Sequence, residues 1–252
     1  MNRISPGIRK VQEREMLPAI GLFPQVVHEG RKIDARVFGP GTYNKNLDSM
    51  QNHSDDLPNV TFKPLTTAES LAVASYDFKN LAKPEIFNPR WLQAGLALKV
   101  SEGAWINPLK DAEGNIIIDN QELEKHLGKT NKVNGIYLLG GDTSFVPYDS
   151  FEQGVQEHEK FLEGGLARGL VHTSDKKATI LSSIANDTEY PLRVNVVGFD
   201  SFKEPLVMVV SLGSGRGVGG LRLDVYGLFG YLDYGFAFGG LVSGEASAQK
   251  TK

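Results

Sequence analysis

Cysteine is absent from this 252-residue chain, which removes disulfide staples, thiolate metal sites, iron–sulfur clusters and cysteine nucleophiles in one step. The redox compartment is therefore unreadable from composition. Histidine is scarce, and His28, His53, His126, His158 and His172 include no H-E-x-x-H, no H-x-H and no pair four apart, so zinc chemistry lacks its ligand pattern. There is no clustered basic block, and the net charge is -3. Tight binding to a phosphate backbone has no electrostatic basis here. No G-x-S-x-G elbow, no Gly-Lys-Ser/Thr phosphate loop and no internal repeat occur, which leaves serine-hydrolase, P-loop and solenoid readings without support. The N-terminus mixes Glu13 and Glu15 with basic residues and breaks its short apolar part at Pro18 and Pro24. That is wrong for a secretory signal, so synthesis and retention in a cytoplasm are expected.

What is present is a globular composition, 40% hydrophobic and 23% charged, long enough to bury a sizeable core. Residues 1–60 are rich in prolines and turn formers, and "RKIDARVFG" is the one clear strand there, with Ile33, Ala35 and Val37 on one face; the segment is expected to form an extended arm. Residues 61–212 are expected to form an α+β body, mostly antiparallel. Thr66-Thr67-Ala68-Glu69 is a capping box that opens a helix through Leu71, Ala74, Phe78 and Leu81. Strands are expected from Leu96, across "GAWINPLKDAEGNIIID", and at "VNGIYLLGG", with a short helix at Gln121–Leu127 stopped by Gly128. Ser150-x-x-Gln153 predicts a longer helix, "SFEQGVQEHEKFLEGG", with Phe151, Val155, His158 and Leu162 facing inward. "GLARGLVHT", "KATILSSI", "YPLRVNVVGF" and "EPLVMVVSL" read as four strands whose connections are too short for parallel crossovers. Residues 213–252 form a glycine- and aromatic-rich β segment with a polar tail.

Several stretches invite a chemical reading. Gly215, Gly217 and Gly220 stand at G-x-G-x-x-G spacing after an apolar strand, the pattern of a pyrophosphate cradle. The glycines that continue beyond it, from Gly227 to Gly240, are poor material for the helix such a cradle needs, so a turn between two strands is expected. Val225–Val242 carries one charge, Asp233, over 18 residues, a length at which a membrane span must be considered. Its glycine content and its opening alternation favour strands buried in the fold or in a subunit interface. His53 with Asp55 and Asp56 reads as a solvated turn, His158 as a packed, hydrogen-bonded core histidine, and Asp111–Glu122 departs from calcium-loop spacing. Asp142, in "LLGGDTSF", sits in a glycine turn after a strand, where acids often act and where turn chemistry alone also places them. No catalytic residue, metal or cofactor is assigned.

The stretch "GIYLLGGDTSFVPYDSFEQGVQEHEKFLEGGLARGLVHT", with the short β segments after it, resembles structural proteins of tailed-bacteriophage virions. The resemblance implies a non-enzymatic subunit of a large assembly (capsid, decoration or connector), made in the host cytoplasm and carried in the virion. It implies partners that are copies of this chain or other virion proteins. The residues expected to make those contacts are Leu22, Phe23 and Val26 in the arm, with Tyr226, Phe229, Tyr231, Tyr234, Phe236 and Phe238 in the C-terminal segment. The alternative is a small-ligand enzyme using the Asp142 turn or the Gly213–Gly220 loop.

Overall fold

The computed structural model describes residues 23–28, 30–52, 61–76, 91–187, 193–217, 220–228 and 235–242. Within them the chain is α+β, with thirteen strands in one mostly antiparallel sheet and six helices. Strand β1 (Phe23–His28) turns at Gly30 into β2 (Arg31–Gly41), whose alternation buries Ile33 and Ala35 as expected. Helix α1 (Tyr43–Gln51) follows, capped by the Thr42 hydroxyl, which accepts from the Lys45 amide at 3.3 Å. The proline-rich composition suggested an arm, but in residues 23–52 the buried set Val26, Ile33, Ala35, Phe38 and Met50 ties the chain into the core. Residues 1–22 and 53–60 lie outside the described residues.

Strand β3 (Thr61–Pro64) leads to α2 (Thr67–Tyr76). The capping box forms reciprocally: the Glu69 amide donates to the Thr66 hydroxyl at 3.2 Å, and the Thr66 amide to the Glu69 carboxylate at 2.9 Å. Phe78, Leu81 and Pro84, expected in and after that helix, are outside the described residues. Strands β4 (Trp91–Lys99) and β5 (Gly103–Ile106) pair antiparallel. The second strand expected beyond the Asp111–Asn115 turn is reduced to a bridge between Lys110 and Ile116. Helix α3 (Asn120–Leu127) is capped by Asp119 and stops at Gly128, and β6 (Lys132–Val133), β7 (Ile136–Leu138) and β8 (Ser144–Pro147) complete this half of the sheet.

The longer helix expected from Ser150 is divided. The Ser150 hydroxyl donates to the Pro147 carbonyl at 2.6 Å at the end of a 3-10 turn, Tyr148–Ser150, instead of capping a helix. Gly154, at φ +81°, then admits a strand, β9 (Gly154–Glu157), and helix begins only at α4 (His158–Glu163). "GLARGLVHT" and "KATILSSI" are helices too, α5 (Gly165–Leu170) and α6 (Ile180–Asp187). Buried Leu166, Ala167 and Leu170, and buried Leu181 and Ile184, recur at helical spacing. Burial against neighbouring elements here overrides the β propensity of the branched residues. Helices α2, α4, α5 and α6 pack on one another and enclose the largest core with Val194, Val210, Leu212 and Val225 of the sheet.

Strand β10 (Arg193–Val197), β11 (Leu206–Gly217), β12 (Gly220–Leu228) and β13 (Gly235–Val242) close the fold. The main path of the sheet is β6-β7-β8-β5-β4-β11-β12-β10-β9, and β13 joins it to β2 and β3. Short connections do make β11 and β12 antiparallel. β10, however, lies beside β12 and not beside its sequence neighbour β11, so that pair is parallel, as is the short contact of β13 with β4. A second core, under α3, gathers Leu98, Trp105, Leu123 and Phe145, and a third, under α1, gathers Phe38, Met50, Phe62 and Ala237.

Candidate functional site

Glycines at cradle spacing need a helix N-terminus behind them to hold a phosphate. Instead Gly215 pairs with Arg222 and Gly217 with Gly220, so the ladder of β11 and β12 runs to the loop and resumes directly after it. The stretch Leu206–Leu228 is a long hairpin, as its downstream glycines predicted. Asp233 lies outside the described residues, and among those described no helix is long and apolar enough to cross a membrane.

Asp142 is in a different situation. Gly141 at φ +70° and Asp142 at φ +61° turn the chain sharply between β7 and β8, and the Asp142 side chain is carried inside, 4% exposed. Arg31, the first residue of β2, donates to both carboxylate oxygens at 3.1 Å. The Thr66 hydroxyl donates at 2.8 Å, and Arg31 also stands 3.4 Å from Glu69. Burial is the strongest single influence on the Asp142 carboxyl and pushes its pKa up. The hydrogen bonds from Thr66 and Arg31, with the charge of Arg31 and of His28 when protonated, outweigh it and hold the group below the ordinary carboxylate value. Three distant pieces of chain are thus latched together: the first hairpin, the N-terminus of α2 and the β7–β8 turn. A carboxylate held by three hydrogen bonds from two side chains, Arg31 and Thr66, is suited to anchoring those pieces.

Beside this latch lies a cleft of about 330 Å³, reached by Tyr43, Thr66, Lys110, Gly140 and Gly141. Burial pushes the Tyr43 phenol up to about 12, so it keeps its proton at neutral pH. A serine–histidine pair also exists, Ser144 Oγ to His172 Nδ1 at 3.0 Å, but Ser144 is 0% exposed and cannot meet a substrate. No local motif announced it, because Ser144 and His172 are brought together by β8 and the end of α5. His158 is buried as expected, but among the described residues its Nε2 lacks the hydrogen bond that was also expected. Burial, slightly offset by Glu159, keeps its pKa below the usual value. Among the described residues no group of three or more His, Asp or Glu is placed to hold a metal ion.

The residues expected to face neighbouring subunits divide three ways. Leu22, Phe229, Tyr231 and Tyr234 lie outside the described residues, and Phe23 is described only as a strand position opposite Ala35. Val26, Phe236 and Phe238 are buried in the chain's own core, a correction for those three: their apolar area serves the fold. Tyr226 is half-buried, edge-on to Trp91 at 4.9 Å between ring centres. Among the described residues, apolar side chains that do face solvent include Val27, next to Val26 and 62% exposed, Tyr76, Ile118 and Phe202, as well as Val155 on β9, 50% exposed, and Val197 on β10, 36% exposed. The last two were missed, Val155 because it was placed on the inner stripe of a helix.

No protein-family model matches the chain, and no curated protein or solved structure is significantly similar to it.

Proposed function

We propose that the chain is a non-enzymatic structural subunit of a large protein assembly, a virion particle of the tailed-bacteriophage kind, in which copies join through the edge of β9. The observation that carries this reading is that edge. β9 ends the main path of the sheet and pairs only with β10 among the described residues, and it presents Val155 to solvent. An unpaired strand edge is a template for another strand. In a two-fold antiparallel pairing centred on Val155, Val155 meets its own copy, Gln156 meets Gly154, and Glu157 meets Gln153. No like charges oppose one another, and Glu157 already has Arg193 at 3.5 Å. The likeness of Gly135–Thr173 to virion structural proteins supports the particle as the setting. The enzyme alternative draws support from the cleft beside Asp142, but that carboxylate is held by Arg31 and Thr66.

Val155→Lys tests the reading. The side chain is on the surface, so its replacement is expected to change stability by about 0.5 kcal/mol or less, while a lysine facing a lysine across the two-fold opposes pairing. Sedimentation velocity of the full chain is expected to show wild-type association that grows with concentration and a variant shifted at least tenfold toward monomer. Equal association of the two proteins sinks the β9 contact.

A further inference from the structure

We infer that the cleft between α1, β3, the β5–α3 connection and the β7–β8 turn is a binding site for a small monocarboxylate with an apolar body. Its volume, about 330 Å³, is at the small end of ligand sites. Leu65, Leu96, Pro108 and Leu109 supply apolar wall. The polar side chains among the lining residues are largely engaged with the wall itself: Thr143 donates to the Asn107 carbonyl at 2.7 Å, Asn107 to the Gly141 carbonyl at 2.7 Å, and Thr66 to Asp142. These bonds fix the shape of the cleft before a ligand enters. The groups left to recognise one are Tyr43, a neutral phenol, and Lys110, the one charged residue among the described residues of the lining. Both donate hydrogen bonds, and one is a cation, so the matching ligand accepts hydrogen bonds and carries one negative charge. Asp142 does not oppose this, since its carboxylate is paired with Arg31.

Gly140 and Gly141 form an exposed part of the cleft's lining. A Cβ built on either meets nothing within 4 Å, so there is room for a larger side chain at the edge of the cleft. Gly140 has no positive φ to forbid a side chain, which makes it a plug site that leaves the fold intact. This inference is independent of assembly through β9.

The test is titration of the full-length protein with sodium hexanoate and, separately, with hexanamide, followed by ligand-observed NMR and calorimetry. Saturable hexanoate binding is expected, at least fivefold tighter than hexanamide. Gly140→Leu is expected to abolish it with the thermal midpoint retained. Lys110→Gln, an exposed substitution that does not depend on Gly140→Leu folding, is expected to bring hexanoate down to the affinity of hexanamide. Absence of saturable hexanoate binding, equal affinity for the amide in the wild type, or hexanoate binding unchanged in Lys110→Gln overturns the inference.

Discussion

Gly198→Ala is expected to destabilise the chain by about 3–5 kcal/mol, the sum of a side chain forced into positive φ and an overpacked contact. Gly198 ends β10 at φ +83°, beside Gly227 of β12, because Val197 is in register with Tyr226. A Cβ there falls 2.3 Å from the Gly227 carbonyl oxygen, and that obstacle is backbone that cannot rotate aside. The Gly198 carbonyl is also held, accepting from the buried Lys99 ammonium at 3.0 Å. Total stabilities of domains are about 5–15 kcal/mol, so thermal denaturation followed by circular dichroism is expected to show a midpoint lower by roughly 10 °C or more. Gly140→Ala, with open space around it, is the matched control and is expected to leave the midpoint in place. A Gly198 variant as stable as that control contradicts the description of the β10–β12 seam.

Asp142→Asn carries the second large effect. Asparagine tolerates the left-handed backbone at this position, so the change removes charge with little added strain. The loss expected at pH 7 is about 2 kcal/mol, the scale of hydrogen bonds to an ionised group when the cation it pairs with can still reach water; Arg31 is 52% exposed at its side chain. The pH dependence has a definite sign. A carboxyl whose folded pKa is depressed stabilises the fold above its unfolded value, 3.8, and loses that contribution as pH falls through the lower folded value. The stability difference between wild type and Asp142→Asn is therefore expected to be flat from pH 7 down to about pH 5 and to shrink below about pH 4. Urea denaturation at stepped pH measures it. A difference that is unchanged down to pH 2, or absent at pH 7, contradicts the latch.

Where local chemistry alone decides an element, the sequence was readable. The Thr66–Glu69 box, the stop at Gly128, the alternation of Ile33 and Ala35 and the Gly217–Gly220 turn each rest on residues a few positions apart. What misled was pattern completed by tertiary contact. A serine and a glutamine at capping spacing looked like a helix start at Ser150, yet Gly154 let the chain cross into β9 first. The run "KATILSSI" reads as a strand yet forms a helix from Ile180, because α6 packs on α2. In the proline-rich start β2 was readable as a strand, but its partner β13 stands near the other end of the chain, so its place in the sheet was not. At the candidate sites the limit was the same: Asp142 was visible as a turn acid, but Arg31 is 111 positions away and Thr66 is 76. Neither the latch nor the cleft beside it has a local signature. Phe236 and Phe238 were visible as contact-forming aromatics, and burial alone decides that the contacts are internal.

Hydrogen–deuterium exchange over residues 154–157, read across a concentration series of the full chain, bears most directly on assembly through β9. The account predicts slow exchange that appears in this segment as the protein associates and is lost in Val155→Lys. Association with exchange at residues 154–157 unchanged, or a chain that remains monomeric at every concentration, contradicts it.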